Sequence, residues 1–280
     1  MALADVNGTQ LFYEVTGEGE PIVLIPGLGT THKSFAGVVP GLAKRHKVIA
    51  LDLRGVGQSA KPKQTYSMEL WADDIAALLD HLKLERAHIF GSSLGGCVAL
   101  AFADRHRAKL GSLMLAATFS EIDKLLELNY RVRIALIQKV GMTQLLADFA
   151  VTALFGRTFY ETPQGQSIAA NTLTMIQAND QDMYIEHLTA VLRFGRCEPG
   201  QEKEEKYTAR LRNIQNPALV MVGDEDVLTV AKFSKIMADA LPKSELRILS
   251  PCGHLTIVEK AAETAELVVD FLKRNPLPKE

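Results

Sequence analysis

Hydrophobic residues in this chain fall into two kinds of run. Short ones predict strands: Pro21-Ile22-Val23-Leu24-Ile25, Lys47-Val48-Ile49-Ala50-Leu51, Ala87-His88-Ile89-Phe90, Ser112-Leu113-Met114-Leu115-Ala116, Ala218-Leu219-Val220-Met221-Val222 and Leu246-Arg247-Ile248-Leu249. Most lack polar alternation, as expected of strands covered on both faces. Between them apolar residues recur at helical spacing. Leu70, Ile75, Leu78, Leu79 and Leu82 do so within Met68 to Leu82, and further helices are predicted over Phe35 to Arg45, from Cys97 onward, over Ala231 to Ala240 and over Ala262 to Arg274. Ala2 to Val6 and Thr9 to Val15 read as a hairpin turning at Asn7-Gly8, a pair that adopts the tight turn a two-residue hairpin needs. Strands alternating with helices imply a mostly parallel sheet, here of eight strands, flanked by helices.

From Phe119 to Asn216 the alternation stops. Successive helical patterns run over Ile122 to Val140, with Gly141 as a C-cap, then Thr143 to Phe155, Gln166 to Gln177 and Met183 to Phe194, and Glu198 to Lys206 reads as a charged loop. The simplest organisation is an α/β core of residues 1–118 and 217–280 with a helical cap, residues 119–216, inserted in it.

Composition narrows the class. With 280 residues, 47% hydrophobic and a net charge of −2, the chain can bury a sizeable core but has no basic excess for nucleic acid or an anionic membrane surface. Cys97, Cys197 and Cys252 are odd in number and widely spaced, which argues against a disulfide framework. Neither a signal-peptide pattern nor an apolar run long enough to span a bilayer is present, so a cytoplasmic location is expected. No metal-ligand cluster is evident, and no cofactor is expected. Nothing in the sequence sets the oligomeric state.

The chemistry centres on Gly91-Ser92-Ser93-Leu94-Gly95, placed where a strand run gives way to a helical one. A sharp strand-to-helix turn presents a serine as a nucleophile, and small residues two positions either side let it close. A serine hydroxyl needs a base, and the base needs an orienting acid. In parallel sheets such groups collect after the carboxyl ends of strands. Of seven histidines, His254 lies in such a loop, before the last helix, and His32 is its rival. His187 falls on a helix of the insertion, where solvent exposure is the commoner case. For the acid, Asp226 is favoured in Gly223-Asp224-Glu225-Asp226 because it lies furthest into the loop after a strand; Asp224 is second, and Glu121 and Asp123 are outside alternatives. A developing oxyanion needs backbone donors: one from Leu94, at a helix N-terminus, and one from Gly27-Leu28-Gly29. The insertion offers Leu154, Phe155, Phe159, Met175 and Met183 as pocket lining, and Arg131, Arg133, Arg193 and Arg196 as partners for a substrate carboxylate,.

These features together resemble the α/β-hydrolase fold superfamily over essentially the whole chain. The matching stretches are Pro26-Gly27-Leu28-Gly29, Asp52-Leu53-Arg54-Gly55-Val56-Gly57-Gln58-Ser59, the serine turn, Gly223 to Asp226, and Gly253-His254 with Glu259. The resemblance implies a triad of Ser93, Asp226 and His254 with the N–H groups of Leu28 and Leu94 as the oxyanion hole, and assigns the Asp52 to Ser59 loop no chemistry. Many relatives have His-Gly where this chain has Pro26-Gly27; several enol-lactone hydrolases and small esterases also lack that histidine. Leu255 follows His254, whereas relatives that cleave carbon–carbon bonds of ring-fission products often carry an aromatic residue there, and hydroxynitrile lyases a lysine. The expectation is a serine hydrolase of a small carboxylic ester or lactone. Its rivals are a carbon–carbon hydrolase, a lyase or cofactor-free oxygenase, and a binding protein with a vestigial triad.

Overall fold

The computed structural model describes residues 2–195 and 207–278; the expected charged loop at 198–206, Arg196 and Cys197 lie outside them. Eight strands form one sheet: β1 (Ala2–Val6), β2 (Thr9–Thr16), β3 (Glu20–Ile25), β4 (His46–Leu51), β5 (Ala87–Ser92), β6 (Leu110–Ala116), β7 (Ala218–Gly223) and β8 (Ser244–Leu249). Their spatial order is β1-β2-β4-β3-β5-β6-β7-β8. The pairs β1–β2 and β2–β4 are antiparallel and the rest parallel. Asn7 and Gly8 turn the first hairpin with φ of 44° and 67°, the paired positive values its turn type requires.

The unbroken apolar runs have a direct physical cause. Val23 and Ile25 of β3 join one hydrophobic cluster while Ile22 and Leu24 join the other, and β6 divides Leu113 and Leu115 from Met114 and Ala116 in the same way. Both faces of the sheet are therefore dry along its central strands. One is covered by α2 (Met68–His81), α3 (Leu94–Arg105) and α10 (Ala231–Ala240); the other by α1 (Val39–Leu42), α11 (Thr256–Glu259) and α12 (Ala261–Arg274). The helix expected over Phe35 to Arg45 does not form as one piece. A 3-10 turn at His32–Phe35 and the single turn α1 replace it. Gly37, Pro40 and Gly41 interrupt the segment, and side chains on Gly37 or Gly41 would press within 2.7 Å of Ala261 or Ala265 on α12.

Between β6 and β7 the described residues form α4 (Lys124–Val140), α5 (Gln144–Leu154), α6 (Arg157–Tyr160), α7 (Pro163–Gln177), α8 (Gln181–Gly195) and α9 (Tyr207–Arg210), with no strand among them. Their apolar residues, including Leu126, Tyr130, Leu146, Leu173 and Leu188, continue the cluster on the α2–α3 face of the sheet. His187 is not exposed: α8 buries Tyr184, His187, Leu188 and Val191 as one stripe, and the His187 ring sits 4.8 Å from that of Tyr66 and 5.1 Å from that of Trp71. Among the described residues no helix is long and apolar enough to cross a membrane.

Candidate active site

Parallel pairing in register brings the carboxyl ends of β3, β5, β6, β7 and β8 to one edge: Ile25 pairs with Gly91, Ser92 with Ala116, Ala116 with Met221, and Gly223 with Leu249. The loops leaving these ends carry the candidate groups. At the end of β5, Ser93 has φ 54° and ψ −120°, a conformation that L-residues adopt only when the surroundings enforce it. The enforcement is visible. Ser93 N–H donates to the Ala116 carbonyl at 2.8 Å, and the Thr118 hydroxyl donates to the Ser93 carbonyl at 2.7 Å. A Cβ on Gly91 would strike the Gly95 carbonyl, and one on Gly95 would strike the Ile25 carbonyl. The two glycines are therefore required by close approach of backbone to backbone.

Ser93 Oγ lies 2.9 Å from His254 Nε2, and His254 Nδ1 lies 2.9 Å from Asp226 Oδ2. His254 and Asp226 are 1% and 5% exposed. Asp226 also accepts from Leu228 N–H and Thr229 N–H, both at 2.8 Å, and from the Thr229 hydroxyl at 2.7 Å. Burial by itself would raise the Asp226 carboxyl; His254 and the Thr229 bonds outweigh it and hold the group below the usual carboxylate range,. An ionised Asp226 selects the His254 tautomer with its proton on Nδ1, leaving Nε2 free to accept the Ser93 proton.

The alternatives are placed elsewhere. Asp224 accepts from the Ser250 hydroxyl at 2.5 Å and from Cys252 N–H at 3.0 Å, pinning the loop that carries His254. His32 Nδ1 bonds Asp52 at 2.7 Å, and Asp52 also accepts from Gln58 N–H at 2.8 Å, so that pair braces the Asp52 to Ser59 loop. Glu121 accepts from Thr208 at 2.7 Å and Asp123 caps α4. Cys97, beneath the serine turn, is fully buried with its thiol pushed up to about 12 by burial, which keeps it protonated and unreactive.

Above Ser93 lies a cavity of about 370 Å³ lined by Leu28, Leu94, Leu154, Met175, His254 and residues of α4, α7 and α8. Gly27 approaches the serine closely enough that a Cβ on it would sit 3.4 Å from Ser93 Cβ. Of the residues offered as lining, Leu154 and Met175 border the cavity, and Phe155, Phe159 and Met183 do not. Helix phase is the reason. Phe155 follows the last turn of α5 with extended backbone, φ −112° and ψ 141°, and stacks on Phe159 at 6.1 Å, away from Leu154. Neighbouring positions on a helix point about 100° apart, so where Tyr184 and Val191 of α8 face the cavity, Met183 packs into the core. Along α7 the lining stripe is Ile168, Thr172, Met175 and Ile176.

Sequence reasoning passed over Thr229, and it quoted Glu259 with a matching stretch without giving it a role. Thr229 lies within 3.1 Å of His254 Nδ1 as well as bonding Asp226; a hydroxyl three residues after the acid was the available signal. Glu259 accepts from Gly253 N–H at 2.8 Å and from Gly156 N–H at 3.2 Å, tying the His254 loop to the turn between α5 and α6. Its burial raises the carboxyl against the pull of those N–H groups. Of the arginines, Arg131 is exposed near Glu127, and Arg193 reaches Glu186 at 3.0 Å. Arg133 is 3% exposed and lines the cavity.

The alpha/beta hydrolase fold profile matches residues 20–261. The chain belongs to the α/β-hydrolase fold family. A 2-hydroxymuconate semialdehyde hydrolase from Pseudomonas sp. (strain CF600) is 30% identical over 266 residues, 92% of this chain and 88% of its own length. A proline iminopeptidase of Lactobacillus helveticus is 26% identical over 285 residues, 96% of each chain. Among solved structures, the enol-lactonase from Burkholderia xenovorans LB400 superposes with a TM-score of 0.87 at 28% identity, covering 97% of this chain and 100% of that one.

Proposed function

We propose that this α/β-hydrolase cleaves a carboxylic ester or lactone through an acyl-enzyme on Ser93. The observation that carries the reading is the unbroken path from Asp226 through His254 to Ser93 Oγ, opening into the cavity. Ser93 attacks the carbonyl carbon as its proton passes to His254 Nε2, and Asp226 stabilises the imidazolium that results. The tetrahedral oxyanion is met by the N–H groups of Leu28 and Leu94, the latter reinforced by the α3 N-terminus. Collapse expels the alkoxide, which takes the proton from His254. Water, deprotonated by the same nitrogen, then releases the acid. The helices between β6 and β7 act as a lid that excludes water and shapes the acyl site.

The enol-lactonase likeness supports the lactone branch. The likeness to the semialdehyde hydrolase supports a second reading, in which the substrate is of that kind. A peptide with a cationic amino end fits less well, since among the described residues none that lines the cavity carries a carboxylate to receive it,. The test is covalent labelling by a fluorophosphonate together with turnover of aryl esters, simple lactones and a semialdehyde. Wild type labels at Ser93 and hydrolyses the esters or lactones. Ser93→Ala does not label and loses turnover by a factor on the order of 10⁴ or more. Retention of about a tenth of wild-type turnover by pure Ser93→Ala would overturn the assignment.

A further inference from the structure

Arg133 occupies a core position. Along α4 the buried residues are Leu126, Tyr130, Arg133 and Ile137, one stripe at helical spacing in which a fourth apolar residue would pack without cost. Instead the stripe holds a guanidinium that is 3% exposed and whose Nε and Nη2 have no hydrogen-bond partner among the described residues. Its neighbours are aromatic: the guanidinium carbon lies 5.9 Å from the Tyr130 ring centroid, and the Tyr184 phenol lies against it. The residue lines the same cavity as Ser93 and His254, and among the described residues no aspartate or glutamate lines that cavity.

Magnitudes decide what this means. Contact with an aromatic face offsets only a minor part of what an unpaired buried charge costs. Lysine could shed its proton to escape that cost; arginine cannot. The positive charge therefore persists in a largely apolar pocket with Nε and Nη2 unused as donors, and a planar carboxylate is the group whose geometry matches them. We propose that Arg133 is the receptor for a carboxylate carried by the substrate, so that the preferred ester or lactone is an anion with its free acid group directed at α4. The substrate part of this proposal rests on Ser93 being the nucleophile; the carboxylate site itself does not.

Two measurements separate these. The first compares a monoaryl ester of glutaric acid with the neutral aryl ester of equal chain length, in wild type, Arg133→Leu and Arg133→Lys. The ratio of kcat/KM for the anionic over the neutral ester falls by at least about 30-fold in Arg133→Leu, mostly through KM, and Arg133→Lys recovers part of it. The second titrates glutarate into Ser93→Ala by calorimetry, where catalysis plays no part; binding is seen there and is lost when Arg133→Leu is added. Arg133→Leu should also unfold at a higher urea concentration than wild type, since an uncompensated charge leaves the core. An unchanged substrate ratio combined with glutarate binding that ignores Arg133 would overturn the proposal. So would equal losses on both esters with a lowered urea midpoint, which mark a structural arginine. Failure of Ser93 to label, with glutarate still bound through Arg133, would overturn the hydrolase reading and leave the carboxylate site standing.

Discussion

His187 makes the stability of this protein depend on pH in a calculable way. Its ring is 2% exposed, wedged between Tyr66 and Trp71, and its Nε2 has no hydrogen-bond partner. Gly55 passes so close that a Cβ there would sit 2.5 Å from that nitrogen. Among the described residues no carboxylate compensates a positive charge, and burial pushes the imidazole down from its ordinary 6.5 to about 4,. Between those two values the unfolded chain binds a proton that the folded chain refuses. Stability is therefore fully present above pH 6.5 and is lost as pH falls towards 4,. Between pH 7 and pH 5 the difference of the two proton-binding terms comes to about 2 kcal/mol. The assay is urea unfolding of wild type and His187→Leu at pH 7, 6 and 5. The two proteins differ in intrinsic stability by a constant packing term, and other titrating groups cancel in the comparison. Wild type should lose about 2 kcal/mol more than the variant on going from pH 7 to pH 5. Parallel losses in the two proteins would refute the argument, because they would mean that protonated His187 finds compensation in the folded state.

Two further predictions concern the site. Asp226→Asn should lower kcat on the order of 10⁴-fold by favouring the wrong His254 tautomer, while Asp224→Asn, at a position that bonds the Ser250 hydroxyl and Cys252 N–H and not His254, should stay within about tenfold of wild type; steady-state kinetics on a single activated ester decide between them. Met175→Ala enlarges the cavity and should move the acyl-length optimum to longer chains, whereas Phe155→Ala, outside the lining, should leave the ranking intact; an acyl-length series read in both variants checks the pair.

The parts legible from sequence alone were those governed by local constraint. A strand buried on two faces is apolar at most positions, so β3, β4, β5, β6 and β7 announced themselves as runs. A serine with φ 54° needs glycines where backbones touch, and that requirement is written in five consecutive residues. The loops after β7 and β8 pointed to Asp226 and His254 because parallel pairing gathers strand ends at one edge. What only the tertiary structure decided is which way each helical side chain faces. Leu154 and Phe155, or Met183 and Tyr184, are equally apolar neighbours; the packing of α5 and α8 on the core turns one of each pair into the cavity and the other away. Burial of the charged and titratable groups was equally out of reach. Arg133, His187 and Glu259 belong to residue types that usually meet water, and their desolvation depends on neighbours distant in the chain, Tyr184 beside Arg133, Trp71 beside His187 and Gly156 beside Glu259. Periodicity could place Arg133 on the buried stripe of α4, but the absence of a carboxylate facing it is a property of the assembled cavity.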